Sequence, residues 1–246
     1  MIRIEQLTKT YGTFKAVDSF SFDVDRGEIL GLIGPNGAGK TSTLRCIAGL
    51  QAPSAGNITI DGHDIVKDPV EAKRVLAFMA DEPQLFEYLT VTEHLRLIAR
   101  IYSVGDFERR ARTLIEELEL VGKENVLPGE LSRGMKQKVA IACGLLHEPQ
   151  VLLFDEPLTG LDPLGIRRMK ETILTRGRSG GAVIVSSHLL HLVEEICTRI
   201  VIIDHGIKIA DGTMAELSAW SQTAAGSNLE QIFLQVTAPA TATEPR

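Results

Sequence analysis

The pattern of apolar and polar positions predicts strands followed by a strand–loop–helix unit in the first fifth of the chain. Apolar and polar residues alternate over residues 2 to 8 and 20 to 24, as in half-exposed strands. A buried-strand pattern occupies residues 28 to 34, "EILGLIG", and runs into glycines. Residues 39 to 48 then carry a helical pattern.

The middle of the chain changes character, and a sheet pattern then resumes. Residues 91 to 146 carry helical periodicity with hardly a strand between the helices. After them, the strand patterns "QVLLFDEP", "AVIVSS" and "RIVIIDHG" alternate with the helical patterns "PLGIRRMKETIL" and "LLHLVEEIC". This βαβ rhythm is typical of a parallel sheet, so we predict an α/β core interrupted by an inserted helical subdomain. The tail shows two short helical patterns and then "TAPATATEPR", which predicts a frayed end.

Composition narrows the class of protein. A chain of 246 residues with 44% hydrophobic composition can bury one good core. Its longest apolar stretches, such as "VLLF", "AVIV" and "IVII", fall far short of the roughly 18 residues that cross a bilayer. The N-terminus "MIRIEQLTKT" lacks the apolar core and cleavage site of a secretory signal. We therefore expect a cytosolic protein without a membrane span.

Charge and cysteine usage exclude further classes. The net charge of −6 gives no electrostatic footprint for nucleic acid, so no nucleic-acid partner is expected. Cys46, Cys143 and Cys197 lie singly in apolar surroundings, without the paired spacing of zinc or redox sites. We interpret them as buried structural thiols.

A phosphate-binding loop lies between the predicted strand and helix. The residues "GPNGAGKT" satisfy the pattern GxxxxGKT in the structural context that its mechanism requires. Its glycines let the backbone wrap an anion, Lys40 is placed to bridge the β- and γ-phosphates, and Thr41 to coordinate magnesium. The alternative is a bare glycine-rich turn. The predicted nucleotide-binding residues here are Gly34, Pro35, Asn36, Gly37, Ala38, Gly39, Lys40, Thr41 and Ser42.

Two adjacent carboxylates follow a second buried strand. In "VLLFDEP", Asp155 and Glu156 stand at the carboxyl end of the strand, where ligands gather in open α/β sheets. Asp155 is placed to hold magnesium, and Glu156 to polarise an attacking water. Alone, "DEP" is equally compatible with a turn that ends a strand; beside the phosphate-binding loop, a nucleotide site is favoured.

A helix start at residues 131 to 135, "LSRGM", leads into a long apolar run. Ser132 and the N–H groups near Gly134 are suited to cap this helix, and its positive end can meet phosphate oxygens. Taken alone, the segment favours an ordinary cap on a packing helix.

The order of these motifs resembles the ATP-binding subunits of ABC transporters, from Tyr11 to about Gly212. In that family an LSGGQ-like signature opens a helix shortly before the strand with the paired carboxylates, and "LSRGM" occupies that place. The resemblance implies a P-loop ATPase core with an antiparallel β subdomain and an inserted helical subdomain. It also implies that two such domains pair head to tail, so that Ser132 and Gly134 of one meet the γ-phosphate on the other.

Three more positions match the family one at a time. Tyr11 resembles the aromatic residue that stacks on adenine, with an ordinary core or surface tyrosine as the alternative. His188 resembles the switch histidine that contacts γ-phosphate; lone histidines are usually structural. Asp162 resembles the D-loop aspartate that crosses the dimer seam, and it is also suited to cap a helix before Pro163.

The chain departs from the family pattern at the signature and at the Q-loop. Arg133 replaces the first glycine of the Gly-Gly pair, and Met135 replaces the glutamine. At the position of the magnesium-sensing glutamine, the match of "LFEYLTV" to the family places Asp81 rather than Gln84. A carboxylate accepts from metal-bound water but cannot donate as an amide does, so Asp81 is a candidate metal contact. The alternative is a plain loop acid.

The resulting hypothesis is a single ABC domain that binds ATP and Mg²⁺ and hydrolyses ATP. We expect core segments at 1–84 and 149–212, a signature subdomain at 85–148 and a helical tail at 213–246. The expected partners are a second ATP-binding subunit, identical or closely related, and transmembrane permease subunits of an exporter, which would hold the chain on the cytoplasmic face of the membrane. A groove near residues 81 to 100 would receive the permease, with anchors at Phe86, Tyr88 and Leu89 unless these are core.

Two other functions share part of the pattern. A soluble ABC ATPase acting on ribosomes or DNA would normally carry two cassettes or long coiled-coil arms, and this sequence shows neither. A small-molecule kinase shares the phosphate-binding loop but has no use for a signature or for His188.

Overall fold

A computed structural model of the chain describes residues 1–221 and 228–237. Its strands are β1 Ile2–Tyr11, β2 Phe14–Val24, β3 Ile29–Ile33, β4 Ala55–Ile60, β5 His63–Asp64, β6 Leu76–Met79, β7 Val151–Asp155, β8 Ala182–Ser186, β9 Arg199–Asp204 and β10 Ile207–Gly212. Its α-helices are α1 Lys40–Ile47, α2 Pro69–Arg74, α3 Val91–Ile101, α4 Phe107–Glu117, α5 Arg133–Leu145, α6 Pro163–Arg178, α7 Leu190–Ile196, α8 Met214–Trp220 and α9 Leu229–Thr237.

The strands form two sheets. The first is antiparallel, in the order β2-β1-β4-β5, and the second runs β10-β9-β3-β8-β7-β6. In the second sheet β9, β3, β8, β7 and β6 are parallel, and β10 is added antiparallel at one edge. The predicted fold class, an α/β core with an antiparallel β subdomain and inserted helices, is confirmed.

The parallel strands carry the core because their side chains are buried on both faces. Every residue of β3, β7 and β8 is buried, which is why their sequences are continuous apolar runs rather than alternating patterns. One face packs against α1 and the antiparallel sheet, and the other packs against helices α3 to α7. The carboxyl ends of β3, β7 and β8 therefore meet at one edge, where the loops of interest begin.

Between β6 and β7, the chain forms α3, α4, a short 3₁₀ turn and α5. Helix α3 begins with a capping box, since Thr90 and Glu93 exchange side-chain to backbone hydrogen bonds. Helix α5 lies against β6, and its approach is close enough that a Cβ at Gly144 would meet Met79 Sδ at 2.8 Å. This arrangement is compatible with the predicted signature subdomain, whose bounds stay a prediction.

The prediction from periodicity missed several short helices and strands and made two strands too short. Strands β1 and β2 extend from residue 2 to residue 24 with a two-residue turn, well beyond the predicted 2–8 and 20–24. The missed elements are β4, β5, α2, β6 and β10. Strand β10 also makes the second sheet mixed rather than purely parallel, because it returns from β9 through a tight turn at His205 and Gly206.

Three smaller expectations concern the thiols, the tail and the membrane. Burial raises the pKa of Cys143 and of Cys197 to about 12, so both thiols remain protonated at neutral pH, and all three cysteines are unpaired. The two predicted tail helices are α8 and α9. The first residue of the expected frayed end, Thr237, is the last residue of α9, and the rest of that segment, residues 238–246, lies outside the described residues. Of the helices in the described part of the chain, none is both long enough and apolar enough to span a bilayer.

A single methyl group in β3 is expected to disturb the core. A Cβ at Gly31 would lie 2.4 Å from Val193 Cγ1 and 3.1 Å from Cys197 Sγ, so helix α7 must move outward. We expect Gly31→Ala to lower the free energy of unfolding by about 1–3 kcal/mol, the usual effect of overpacking. Urea unfolding followed by circular dichroism measures it. Gly105→Ala is the matched control, because a Cβ there meets nothing within 4 Å; equal midpoints for the two variants would refute the close packing of α7 on β3.

Candidate functional site

The phosphate-binding loop connects β3 to α1 and turns sharply just before the helix. Gly39, the residue before α1, has φ of 110°, and a Cβ there would lie 2.5 Å from the carbonyl oxygen of Ala16. Only glycine fits that conformation and that approach. The turn exposes the first N–H groups of α1 to whatever the loop encloses, the arrangement that favours an anion.

Lys40 is buried beneath the loop. Its Nζ donates to the carbonyl oxygens of Gly34 at 2.7 Å and Pro35 at 3.2 Å. Burial lowers the pKa of Lys40, while the negative charges of Glu156 and Asp155 act in the opposite direction. A desolvated ammonium held on two carbonyls is poised to exchange one of them for a phosphate oxygen, which carries full charge.

Three side-chain oxygen atoms lie close together at this edge of the sheet, those of Thr41, Asp155 and Ser186. Thr41 Oγ1 donates to Asp155 Oδ1 at 3.2 Å, and Ser186 Oγ donates to the same oxygen at 2.7 Å. Asp155 is only 3% exposed. The parallel register of β7 and β8 pairs Asp155 with Ser186 directly, so the two side chains leave the sheet at the same level.

Sequence reasoning missed Ser186. The available signal was its position: "SSH" ends the strand that lies beside β7, so its hydroxyl groups reach the edge that holds the paired carboxylates. Ser186 Oγ also accepts from the backbone N–H of Glu156 at 3.1 Å. Ser186 therefore positions the carboxylate of Asp155 and the backbone of Glu156.

Glu156 and His188 form a close pair. Glu156 Oε2 lies 2.8 Å from His188 Nδ1 and accepts from the His188 backbone N–H at 3.3 Å. Because a carboxylate only accepts, Nδ1 is the protonated ring nitrogen and Nε2 is left free to face a ligand. Glu156 has φ of 51°, a left-handed conformation that is costly for a residue with a side chain and typical of functional sites.

Tyr11 lies at the end of β1, next to the start of α1. Its hydroxyl group donates to Gln51 Oε1 and lies 3.4 Å from Ser42 Oγ, while Lys9 Nζ stands 5.1 Å from the ring centroid. The side chain of Tyr11 remains 43% exposed. An exposed ring tethered beside the phosphate-binding loop is compatible with base stacking, which stays a prediction.

The signature and the D-loop both begin helices. Ser132 is the N-cap of α5, and its Oγ accepts from the N–H of Met135 at 3.2 Å. Asp162 is the N-cap of α6, accepting from the N–H of Gly165 at 2.7 Å, with Pro163 in the first helical position. Both predicted caps are confirmed. The two segments touch, since a Cβ at Gly134 would lie 3.3 Å from the carbonyl oxygen of Gly160.

Asp81 does not join the cluster around Asp155. It follows β6 by two residues, and its Oδ1 lies 3.4 Å from Nη2 of Arg133 in an ion pair. No ion pair or hydrogen bond within residues 1–221 and 228–237 joins Asp81 to Thr41 or Asp155. Its role as a metal contact stays a prediction.

The predicted site residues thus fall into two groups. The first comprises Tyr11, the loop from Gly34 to Ser42, Asp155, Glu156 and His188, which contact one another directly or through Ser186. The second comprises Ser132, Gly134, Asp81 and the D-loop with Asp162. In the described part of the chain, no hydrogen bond or ion pair links the signature segment to the phosphate-binding loop.

Comparison with known proteins finds similarity to ATP-binding proteins. The sequence pattern of the ABC transporter family matches residues 17–159. The linearmycin resistance ATP-binding protein LnrL of Bacillus subtilis is 36% identical over 219 residues, which cover 88% of this chain and 70% of that protein. A solved ATP-binding subunit of an ABC transporter is 35% identical with a TM-score of 0.92, covering 96% of this chain and 99% of that one.

A second solved structure captures the product of the reaction. It is a dimeric, post-hydrolysis state of an ATP-binding cassette bound to ADP and Pi, 25% identical with a TM-score of 0.81 over 87% of this chain and 99% of that one. The fold agrees with that of both solved structures. The chain therefore belongs to the ABC transporter family, as an ATP-hydrolysing ATP-binding subunit.

Proposed function

We propose that two copies of this chain, or one copy and a close relative, hydrolyse ATP with Mg²⁺ at their shared interface and thereby drive separate transmembrane subunits. The working complex would place the chain on the cytoplasmic face of the membrane. Export is the favoured direction because one relative, 70% of whose length is matched by this chain, is named for resistance to linearmycin. Export of a toxic compound is one way to confer such resistance. The observation that carries the proposal is the separation of the site residues into two groups.

The oxygen donors of the first group fit a magnesium ion. Thr41 Oγ1 and Asp155 Oδ1 are hard oxygen ligands 3.2 Å apart. In the ranges that the structure describes, no group of three or more acidic, histidine or cysteine side chains is arranged so that it could hold a metal ion by itself. Such a sparse set suits Mg²⁺, which usually takes one or two protein ligands and completes its shell with phosphates and water. When bound, the ion would neutralise charge on the β- and γ-phosphates.

Three other side chains of the first group would have separate roles in hydrolysis. Lys40 would leave its loop carbonyls and bind the β- and γ-phosphate oxygens. Glu156 would orient the attacking water and accept its proton. His188, protonated on Nδ1 by its bond to Glu156, would present Nε2 toward the γ-phosphate end of the nucleotide.

The second group of residues, which contains the signature segment, would complete the nucleotide site of the partner copy. The N-terminal end of α5 offers N–H groups and a favourable helix dipole for the phosphate of the facing subunit. A head-to-tail pair related by twofold symmetry supplies two such composite sites. The dimeric assembly of the relative bound to ADP and Pi supports this arrangement.

A groove beside the Q-loop offers a contact for the transmembrane subunits. It encloses about 450 Å³ between β6, α3 and α5, and its lining is mainly apolar. The buried His94 shapes one wall, because its Nδ1–H donates to the carbonyl oxygen of Thr90 at 2.8 Å and its Nε2 accepts from the N–H of Phe86 at 2.9 Å. Phe86 and Tyr88 are 61% and 88% exposed, so these two predicted anchors are not core, whereas Leu89 is partly buried.

Removal of the exposed aromatic side chains is expected to uncouple the ATPase from the membrane. The double variant Phe86→Ala/Tyr88→Ala should lose at least about tenfold in binding to its membrane subunits, since buried aromatic anchors dominate such interfaces. ATP hydrolysis by the isolated chain should stay near the original rate. Co-purification from detergent-solubilised membranes and substrate-stimulated ATPase measure the two effects.

Trp220→Ala is the matched control for this experiment. Trp220 is also a large, exposed aromatic residue, at 55%, but it lies on α8 outside the groove. Its substitution should leave binding to the membrane subunits intact. If the double variant binds those subunits as well as the original chain, the groove is not the membrane contact.

A further inference from the structure

We propose that Asp81 and Arg133 act as a positioning pair that sets the orientation of the signature end of α5, and with it the rate of ATP hydrolysis. The proposal rests on the function proposed above, because it concerns the segment that would meet the partner's nucleotide. It assigns Asp81 a role toward Arg133 rather than toward the metal.

The pair joins two segments that are distant in sequence. Arg133 Nη2 lies 3.4 Å from Asp81 Oδ1, across 52 residues of chain. The two side chains are 57% and 43% exposed. Ion pairs this exposed contribute little to stability, so the pair is better suited to hold an orientation than to hold the fold together.

The stem of Arg133 also packs on the D-loop. A Cβ at Gly160 would lie 3.3 Å from both Cδ and Nε of Arg133. The arginine side chain therefore passes over Gly160 on its way to Asp81. One side chain links the Q-loop position, the signature and the D-loop, the three segments that contain the second group of site residues.

The charge of Arg133 is unusual for its place in the helix. It occupies the first helical position of α5, where the helix dipole is positive and a cation is unfavourable. No acidic residue stands in that first turn, and Lys136 adds a further positive charge. Asp81 supplies from another element the negative charge that this helix end lacks.

A second contact one turn further on keeps the helix attached when the pair is broken. Nε2 of the buried Gln137 donates to the carbonyl oxygen of Ala80 at 3.3 Å. Loss of the ion pair should consequently reorient the first turn of α5 without unfolding the helix. The effect should appear in turnover more than in the affinity for ATP, because Lys40 and its loop are not part of this contact.

Two of the three departures of this chain from the family pattern meet in this contact, and Met135 is the third. Arg133 stands at a glycine position of the signature, and Asp81 stands at the glutamine position of the Q-loop. Neither a glycine nor an amide would form a full ion pair with the residue opposite. The two departures are therefore interpreted as one compensated change.

A charge swap tests the proposal. We expect Asp81→Arg and Arg133→Asp each to lower kcat about tenfold, while KM for ATP changes less than about threefold. This combination is typical of an interaction made mainly in the transition state. The double variant Asp81→Arg/Arg133→Asp should recover to within about threefold of the original kcat, since the pair is restored in reverse. Glu82→Arg is the matched control, with the same change of charge at the adjacent exposed residue.

Hydrogen exchange provides a readout that does not depend on ATPase activity. The amide of Met135 is bonded to Ser132 Oγ, so its exchange rate reports on the first turn of α5. We expect about threefold or faster exchange at residues 132–136 in each single variant and recovery in the swap. If the original chain hydrolysed no ATP, the proposed function would fail while this measurement would still judge the pair.

Three results would overturn the proposal. The first is a double variant that is no better than the worse single variant in both kcat and exchange. The second is a set of single variants whose kcat and exchange match those of Glu82→Arg. The third is altered exchange with unchanged kcat, which would make the pair a structural contact only.

Discussion

Replacement of Glu156 by glutamine is expected to leave ATP binding intact and to lower hydrolysis by about 10²-fold or more. General-base and water-positioning roles are typically worth 10² to 10⁴ in rate. The amide keeps the size of the side chain and an oxygen that can still accept from His188, but it cannot accept a proton from water. The change should therefore remove the chemical step and spare the Michaelis complex.

Single-turnover hydrolysis and equilibrium binding of a fluorescent ATP analogue separate these two quantities. Glu130→Gln is the control, an exposed acid just before the signature with the same change of charge and shape. Normal turnover in Glu156→Gln would remove Glu156 from the mechanism. A loss of binding equal to the loss of turnover would instead assign it a role in holding the nucleotide.

The backbone around Glu156 explains why no neighbouring carboxylate should substitute for it. Its left-handed conformation is maintained by hydrogen bonds from its N–H to the carbonyl oxygen and Oγ of Ser186, and its side chain is fixed by His188. Asp155 is already committed to Thr41 and Ser186. The two adjacent carboxylates thus have distinct surroundings, and distinct surroundings support distinct roles.

The local structure around the candidate site was predictable from the sequence. The phosphate-binding loop and the paired carboxylates each consist of a buried strand followed by a short functional segment, so that periodicity and motif agree. The caps at Ser132 and Asp162 are likewise local, and both appear in the structure. The order of motifs along the chain was sufficient to identify the family.

Short edge elements and long-range contacts were beyond that reasoning. Strand β6 has only four residues, too few for periodicity to separate it from a loop. The turn at Asp61 and Gly62 was a hairpin signal that periodicity alone overlooked. The contact of Asp81 with Arg133 depends on how α5 lies against β6, a tertiary feature that a single sequence does not display.

If two copies share each active site, as proposed above, a second large effect is expected. Lys40→Ala removes the charge that faces the phosphates, and Ser132→Arg fills the signature end with a bulky side chain. Each homodimer should be inactive, because both of its composite sites contain one defect. ATPase rates of the two purified variants, alone and after mixing, measure this directly.

Ser132→Arg also removes the N-cap of α5, and a matched control accounts for the resulting loss of stability. Cap removal typically costs about 1 kcal/mol of stability. Thr213 caps α8 in the same manner, with its hydroxyl oxygen accepting from the N–H of Glu216. Thr213→Arg should therefore resemble Ser132→Arg in thermal stability while keeping normal ATPase activity. Inactivity of both variants would point to a folding defect rather than to the signature.

Mixing the two inactive variants should restore activity if the signature acts across the interface. With random pairing about half of the dimers are mixed, and each mixed dimer has one doubly defective site and one intact site, so recovery reaches about a quarter of the original rate for independent sites. Coupling between sites would lower this fraction. If Ser132→Arg alone binds ATP, pairs normally and hydrolyses ATP at the original rate, then "LSRGM" is only a helix cap. In that case the intact site must be formed without the N-terminal end of α5.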